Sequence, residues 1–297
     1  MFRGSMVALA TPMDAAGAVD WRAWQGLLEF HIANGTNGVV VAGTTGESPT
    51  ITPAELDRLV RSAVEVADGR IVVIGGSGSH STTHAIELTR LVQSAGADAA
   101  LIVTPYYNKP TQNGLKAHYA AIADATSLPI ILYNVPGRTA CDLLPETAAA
   151  LSEIDQVVAF KEAVPGPDRV TRLRALCGDN LQLLSGDDPT ARDFMLAGGD
   201  GVISVTGNVA PALMRSLCDL ATAGDAEASA GVDKVLAGLN DALFVEASPI
   251  PVKWALYRMG LMGPGIRLPL TPLAEPFHAT VEAALNDAGI ELPPEAE

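Results

Sequence analysis

Lys161 is the residue whose position in the sequence most directly suggests a reaction. It follows the apolar run Val157-Val158-Ala159-Phe160 and is one of only five lysines in the chain. A lysine with an ordinary pKa near 10.4 is neutral in only about one molecule in 2500 at pH 7, but burial lowers that pKa by several units. A neutral amine attacks carbonyl carbons and forms a Schiff base. A structural interpretation, in which Lys161 pairs with Glu162 or another carboxylate, is equally well supported by position alone.

Phenols and hydroxyls near the ends of other apolar runs strengthen the catalytic interpretation. Tyr133 ends the run that precedes that of Lys161, so its phenol could exchange a proton with the region of an imine. Thr44 could link Tyr133 to a second phenol, Tyr107. Tyrosines at such positions also serve simply as packing residues, and that structural role is the more common one.

Two further features suit carboxylate groups. The turn Thr44-Thr45-Gly46 has free backbone N–H groups that could hold a small carboxylate, although such turns are also common structural features. Arg138, after the rigid segment Val135-Pro136-Gly137, could bind a second carboxylate through both arms of its guanidinium group. An exposed arginine is more often just a solvated charge.

Three weaker motifs are better explained by structure. The glycine-rich segment 75–79 resembles a phosphate-binding loop but lacks the lysine that normally follows. His80 and His84 have the i,i+4 spacing of metal ligands without an obvious third ligand, so a first helical turn is favoured. The Asp187-Asp188 pair could bind a cation, but its place before Pro189 predicts that it caps the next helix.

Eight short runs, nearly continuous in apolar residues, predict strands that are covered on both faces. They lie at 6–10, 38–42, 71–75, 99–103, 130–133, 157–161, 181–185 and 201–205. Most are separated by roughly the length of one βα unit. Helical patterns between them begin at Asp20, at a capping box formed by Thr52 and Glu55, and at Ser81. Further helices are predicted over about 111–126, 168–177, 189–197, 211–223, 225–239, 251–260 and 273–288.

This alternation predicts an α/β fold, a (β/α)8 TIM barrel over residues 1–224 with a C-terminal helical extension over 225–297 packed on it. The main competitor is an open doubly wound sheet. Such a sheet usually has a glycine-rich phosphate turn after its first strand, and residues 10–14 contain no glycine. The C-terminal ends of barrel strands carry the active site, which is where the residues above are expected.

Composition excludes several classes of function. The chain has 297 residues, 48% of them hydrophobic and 18% charged, which indicates a large core rather than global disorder. A net charge of −15 argues against nucleic acid as a partner. There is no apolar run of the length of a membrane span, so no membrane partner is expected. The unpaired cysteines Cys141, Cys177 and Cys218, with no signal-peptide pattern, predict a cytoplasmic protein.

Eight stretches of the chain, in this order, resemble the dihydrodipicolinate synthase / N-acetylneuraminate lyase superfamily of class I aldolases. They are GTTGES (43–48), VTPYYNKP (103–110), ILYNVPGRT (131–139), CDLLPET (141–147), KEA (161–163), LSGDD (184–188), GVISV (201–205) and PIPVK (249–253). The resemblance covers essentially the whole chain and is strongest to the dihydrodipicolinate-forming branch. Together the stretches are highly specific, although no single one is.

The resemblance implies a role for each residue at the pyruvate end of the site. Lys161 would form an imine with pyruvate, and Thr45 with nearby backbone amides would hold the pyruvate carboxylate. Tyr133 would act as the general acid and base for the imine and the enamine. Gly186 and Ile203 would be further substrate-binding residues.

It also implies a second substrate and a subunit arrangement. Arg138 would bind the carboxylate of L-aspartate 4-semialdehyde, whose aldehyde the enamine attacks. Thr44 would connect Tyr133 to a Tyr107 that enters from a partner subunit, so at least a dimer is expected, and a homotetramer built as a dimer of dimers is usual in the family. No metal or organic cofactor is implied.

The chain departs from the family pattern in two loops and in one effector site. Val164-Pro165-Gly166-Pro167 follows the KEA stretch, and Ser248 replaces the usual asparagine. In lysine-inhibited bacterial relatives, a histidine, an asparagine and a glutamate stand where this chain has Leu56, His80 and His84. Because a histidine cannot replace the carboxylate that pairs with the lysine ammonium group, weak or absent L-lysine inhibition is predicted, despite the retained Ser48 and Tyr106.

Two alternatives remain at this point. A lyase or dehydratase acting on a sugar acid or another 2-keto acid would keep Lys161 and Tyr133, but such relatives generally lack counterparts of Arg138 and Tyr107. The second alternative is a catalytically silent barrel that binds pyruvate as a sensor or serves as a scaffold. Such a protein would be expected to have lost at least one of the five residues Thr44, Tyr107, Tyr133, Lys161 and Arg138. The chain retains all of these residues, which favours the synthase.

Overall fold

The computed structural model describes residues 2–294, and within them eight parallel strands form a closed barrel in chain order. The strands are β1 (Gly4–Ala8), β2 (Gly38–Val41), β3 (Val72–Gly76), β4 (Ala99–Val103), β5 (Ile130–Asn134), β6 (Val157–Glu162), β7 (Gln182–Ser185) and β8 (Gly201–Ser204). The first strand pairs with both the second and the eighth, which closes the ring. The predicted (β/α)8 barrel is confirmed, with the first strand beginning two residues earlier than expected.

Helices follow the strands and surround the barrel. They are α1 (Trp21–Ala33), α2 (Pro53–Ala67), α3 (Thr82–Ser94), α4 (Gln112–Ala123), α5 (Pro136–Thr139), α6 (Pro145–Leu151), α7 (Pro167–Cys177), α8 (Ala191–Leu196), α9 (Pro211–Thr222), α10 (Ala226–Ala242), α11 (Ile250–Arg258) and α12 (His278–Asp287). The predicted cap of α1 is present, because Asp20 accepts hydrogen bonds from first-turn amides. Ser81, near which a helix was expected to begin, is the N-cap of α3 and accepts a hydrogen bond from the His84 amide. Thr52 and Glu55 form the reciprocal capping box of α2.

Three helix predictions need correction, and the first concerns the four-residue helix α5, which lies where only a rigid segment was expected. The short helix α6 was not anticipated, because seven residues show too little periodicity, although Pro145 at its first position and Glu146 in its first turn are typical start signals. The helix expected from residue 273 begins only at His278. Pro276 lies in a preceding 3-10 turn, since proline lacks the N–H that an α-helical interior requires.

The strands bury side chains on both faces, in two separate apolar layers. The inner cluster fills the barrel with alternate strand residues such as Ile131, Ala159 and Ile203. The outer cluster packs the opposite strand faces against the helices. Since side chains alternate between faces along a strand, each strand sends every second residue toward the barrel axis.

The C-terminal extension packs onto the barrel at α8 and α9 through α10, and α11 and α12 cover it further. Residue 224 lies in the turn between α9 and α10, and the division of the chain into units 1–224 and 225–297 stays a prediction. The segment before α11 reaches the barrel mouth, where Phe244 and Ser248 join the wall of a cavity. Within residues 2–294, no helix is both long and apolar enough to cross a bilayer.

Candidate active site

A cavity of about 150 Å³ opens at the C-terminal ends of the barrel strands. Six of the eight predicted site residues line it: Thr44, Thr45, Tyr133, Arg138, Lys161 and Gly186. These residues come from four different βα units, those of β2, β5, β6 and β7, so the closed barrel is what brings them together. Ile203 and Tyr107 are not among the lining residues described.

Lys161 points into the barrel beside Tyr133. The two residues are direct neighbours in the register of β5 and β6, and the lysine Nζ lies 4.3 Å from the centre of the tyrosine ring. Only 4% of Lys161 is exposed. Burial lowers its pKa from 10.5 to about 8; the Asp188 carboxylate opposes this shift and the Arg138 guanidinium adds to it. The amine is therefore available as a nucleophile near neutral pH.

The structural interpretation in which Lys161 pairs with Glu162 is wrong. Successive strand residues face opposite sides, so Glu162 points outward from the barrel. There its carboxylate accepts hydrogen bonds from Arg169 at 3.0 Å, from Asn134 at 3.0 Å and from the backbone N–H of residue 164 at 2.9 Å. Arg169 also binds Asp142, so the outer face of this strand is held by its own network.

We expect the rate of imine formation at Lys161 to rise with pH and to level off above a midpoint near 8. A cationic group whose pKa falls to about 8 is neutral in about one molecule in ten at pH 7, and it loses its proton over the interval just above neutrality. Borohydride trapping with pyruvate at a series of pH values, followed by peptide mapping, measures this rate. A midpoint near 10.5 would show that the amine is not desolvated in solution.

Tyr133 and Thr44 are joined by a side-chain hydrogen bond. The phenol is buried, and burial raises its pKa; Arg138 and a hydrogen bond with the Thr44 side chain lower it, while Glu162 raises it further. A phenol that stays protonated can donate a proton to an oxygen leaving from a carbon bound to Lys161 and then recover it.

Tyr107, the predicted second phenol, is not joined to this pair within one chain. It is 91% exposed, with a backbone φ of +73° in the loop after β4. A left-handed conformation is rare for a bulky residue and requires local support. Its neighbour Tyr106 turns instead into a second cavity and packs edge-on against His80, with ring centres 5.0 Å apart.

Gly186 and Thr45 line the same cavity as the lysine, whereas Ile203 does not. A β-carbon on Gly186 would approach Lys161 Cε to 2.8 Å, so only glycine leaves the lysine its place. Thr45 is buried in the loop after β2. Ile203 belongs to the apolar cluster inside the barrel, with Tyr133.

The C-terminal extension supplies contacts that sequence reasoning missed. The Arg138 guanidinium donates through Nη2 to the carbonyl oxygen of Ser248 at 3.2 Å. Glu47, two residues after Thr45 and with a left-handed backbone, forms a buried ion pair with Lys253 of α11. Both contacts join segments more than 100 residues apart, and the only sequence signal was a lysine in the otherwise apolar start of α11.

The predicted capping role of the Asp187-Asp188 pair is wrong. Neither carboxylate caps α8, whose N-cap is Thr190 without a side-chain bond. Asp188 is buried and accepts backbone N–H groups of Val205 at 2.8 Å and Thr206 at 3.0 Å, which ties the ends of β7 and β8 together. Burial raises its pKa, and hydrogen bonds from Ser204 and from these amides oppose the shift.

The segment 75–79 and His84 border a second cavity of about 190 Å³, which shares Thr44 and Tyr133 with the first. A β-carbon on Gly76 would lie 2.2 Å from the carbonyl oxygen of Ala42, so this glycine permits the end of β3 to pack closely on the segment after β2. His84 lies in the first turn of α3, as predicted, and its Nδ1 is 3.2 Å from a Glu87 carboxylate oxygen. The same prediction is wrong for His80, which precedes the N-cap Ser81 and lies outside the helix. No group of three or more His, Cys, Asp or Glu within 2–294 is placed to hold a metal ion.

Comparisons with known proteins place these features in context. The model of the dihydrodipicolinate synthetase family matches residues 1–288. A 4-hydroxy-tetrahydrodipicolinate synthase of Nitrosococcus oceani is 53% identical over 98% of this chain and 99% of its own. A chloride-inhibited dihydrodipicolinate synthase of Acinetobacter baumannii, solved with pyruvate, superposes with a TM-score of 0.97 at 49% identity over 98% and 100% of the two chains. A structure of a monomeric dihydrodipicolinate synthase variant has a TM-score of 0.95 at 43% identity, over 98% of both chains.

Proposed function

Because the chain belongs to the dihydrodipicolinate synthetase family, we propose that it condenses pyruvate with L-aspartate 4-semialdehyde to give 4-hydroxy-tetrahydrodipicolinate. The protein is thus a lyase of lysine and diaminopimelate biosynthesis. The observation that carries this proposal is the amine of Lys161, desolvated and 4.3 Å from the centre of the Tyr133 ring at the mouth of a barrel. Family membership indicates which substrates are used, and this geometry indicates how the Lys161 amine can react with them.

The reaction begins when Lys161 Nζ attacks the ketone carbon of pyruvate. Tyr133 protonates the departing oxygen, which leaves as water, and an imine forms. Loss of a methyl proton gives an enamine, whose carbon attacks the aldehyde of L-aspartate 4-semialdehyde. The amino group of that substrate then attacks the former ketone carbon of pyruvate, to which Lys161 Nζ is still bonded; the new C–N bond closes the ring, and the bond to Lys161 breaks and regenerates the free amine.

The other lining residues hold the two anionic substrates. Thr45, with the backbone amides of its turn, is suited to the pyruvate carboxylate, and Gly186 leaves room for the adduct beside the lysine. Arg138 is suited to the carboxylate of the second substrate. Ile203, which belongs with Tyr133 to the apolar cluster inside the barrel, is a further substrate-binding residue.

The assembly is a homotetramer built as a dimer of dimers, in which the partner's copy of the 103–110 loop completes the proton path. Support comes from Tyr107, whose 91% exposed phenol is explained if it enters the neighbouring site. The location is cytoplasmic, in keeping with three free, buried cysteines.

Two assays test the function. Borohydride trapping with pyruvate, measured by mass spectrometry, separates an aldolase from a silent barrel, because only the aldolase forms a reducible imine. Turnover with L-aspartate 4-semialdehyde, compared with N-acetylneuraminate and other sugar acids, separates the synthase from a related lyase. Trapping without turnover of the semialdehyde would reject the proposal.

We expect weak or absent inhibition by millimolar L-lysine. The second cavity has the hydroxyls of Ser48 and Tyr106, but His84 stands where a carboxylate is needed to pair with an ammonium group. The measurement is turnover as a function of L-lysine concentration, with a His84→Glu variant as the comparison that restores a carboxylate. Strong inhibition of the unchanged protein would contradict the expectation and direct attention to Glu87, the acidic neighbour of His84.

A further inference from the structure

The turn after β2, residues 42–47, has an unusual backbone conformation at both of its ends. Ala42 and Glu47, which bound it, are left-handed, with φ of +51° and +60°. This conformation is uncommon for residues other than glycine and persists only where surrounding contacts hold it. Thr44 and Thr45, which lie between the two, line the active-site cavity. The contacts that hold this turn therefore act on a wall of the active site.

Glu47 is tied to the turn by its backbone and to the C-terminal extension by its side chain. Its N–H donates to the carbonyl oxygen of Thr44 at 3.1 Å. One carboxylate oxygen accepts from Lys253 Nζ, and the other accepts from the backbone N–H of Arg267 at 3.0 Å. Glu47 and Lys253 are 2% and 3% exposed, and neither lines the cavity around Lys161. The pair can therefore influence a substrate only through the turn.

Arg267 fixes the second donor to this carboxylate from several directions. Its guanidinium donates to the carbonyl oxygens of Gly17 at 2.8 Å and Thr50 at 2.7 Å, and to the Glu55 carboxylate at 2.9 Å. These contacts join the loop after β1, the loop after β2 and the first turn of α2 to one segment of the extension. The carboxylate of Glu47 thus has a rigid support.

A buried ion pair is a costly way to stabilise a fold. Taking both charges out of water costs about as much free energy as their attraction returns, and well-packed apolar side chains are often at least as stable in the same place. What the ion pair adds is direction, because charge-assisted hydrogen bonds hold a carboxylate in one position. The pair of Glu47 with Lys253 is therefore better suited to fixing a conformation than to adding stability.

We propose that Glu47 and Lys253 are positioning residues, whose buried ion pair holds the Thr44-Thr45 turn in the conformation that binds the carboxylate of pyruvate. This inference rests on the pyruvate half of the proposed function. Neither residue touches the substrate, and each acts through the turn. The C-terminal extension, which carries Lys253, then sets how well the first substrate binds.

The first test is Lys253→Met, which keeps an unbranched side chain of similar length but removes the charge and the donor. We expect the second-order rate constant for borohydride-trapped imine formation with pyruvate to fall about tenfold, because a released turn is in its binding conformation only part of the time. The value of kcat/KM for L-aspartate 4-semialdehyde should change much less, since pyruvate is already bonded to Lys161 when that substrate reacts. Tm should fall, because Glu47 becomes a buried charge without its cation.

A double variant, Lys253→Met with Glu47→Gln, separates positioning from stability. It removes both charges, and the new amide oxygen can still accept from the Arg267 N–H. Tm should therefore rise above that of Lys253→Met, since no unpaired charge remains buried. The rate constant for imine formation should stay low, because no donor from α11 fixes the turn. Recovery of both quantities would assign the pair a purely structural role and overturn the proposal.

Glu282→Ala is the matched control for lost stability. It breaks the ion pair of Arg258 with Glu282, at 2.6 Å, which joins α11 to α12. Neither residue lines the cavity around Lys161. We expect a lower Tm and an unchanged rate constant for imine formation. A loss of rate like that of Lys253→Met would show that any loosening of α11 slows the reaction, which would contradict a specific role for the pair.

Failure of this proposal can be told from failure of the proposed function, because imine formation needs only pyruvate. An unchanged rate constant in folded Lys253→Met enzyme would overturn the positioning role and leave the proposed function intact. An unmodified enzyme that forms the imine but does not consume the semialdehyde would reject the synthase, and the trapping rates of the variants would still decide the role of the pair. An unmodified enzyme that forms no imine would overturn both proposals.

Discussion

Replacing Lys161 with alanine is expected to reduce turnover by at least about 10⁴-fold and to abolish the borohydride-trapped adduct with pyruvate. Removal of a covalent nucleophile eliminates the intermediate, so the remaining groups can only bind the substrates. No other side chain described around this cavity is a primary amine, and the second buried lysine, Lys253, is engaged with Glu47. The measurements are steady-state turnover and intact-protein mass after reduction.

Two variants separate the nucleophile from its charge. Lys161→Arg keeps a cation in the cavity but offers no amine that condenses with a ketone, and it should be as inactive as the alanine variant. Lys234→Ala removes an exposed lysine from α10 and should leave both turnover and trapping unchanged. Undiminished product formation by Lys161→Ala, or an adduct mapped to another peptide, would show that the imine forms elsewhere.

Tyr133→Phe is expected to lower kcat by about 10²- to 10⁴-fold, the range of a positioned general acid and base. The ring would still lie against Lys161, so the pKa of the lysine and the shape of the cavity should change little. The defect should appear in both imine formation and turnover, because water loss and the later proton transfers use the same phenol. Single-turnover trapping rates and kcat measure the two stages.

The controls for this variant address proton transfer and folding separately. Tyr257→Phe alters a partly exposed phenol on α11, away from the cavity around Lys161, and should leave kcat unchanged. Far-UV circular dichroism and Tm should be close to those of the original protein for both variants. A Tyr133→Phe enzyme within about threefold of the original kcat would show that a water molecule or another residue carries the proton.

The features that local sequence determines were predictable. Strands buried on both faces leave continuous apolar runs, and helix starts depend on residues within one turn, so Thr52, Glu55 and Asp20 identified their helices without tertiary information. Because side chains alternate between the two faces of a strand, Lys161 and Glu162 point to opposite sides of β6. The sequence therefore already argued against an ion pair between them. Six predicted residues met in one cavity because each ends a strand or follows one in the same barrel.

Other features depend on contacts between distant segments, and only the tertiary structure decided them. The ion pair of Glu47 with Lys253 and the bond from Arg138 to Ser248 require the C-terminal extension to return to the barrel mouth. The role of Asp188 as a tie between β7 and β8 depends on which amides lie near it after the barrel closes. Local sequence patterns therefore predict the helix or strand to which a residue belongs. The partner of a buried polar group depends on tertiary packing, because the free energy of burying that group depends on the atoms that surround it in three dimensions.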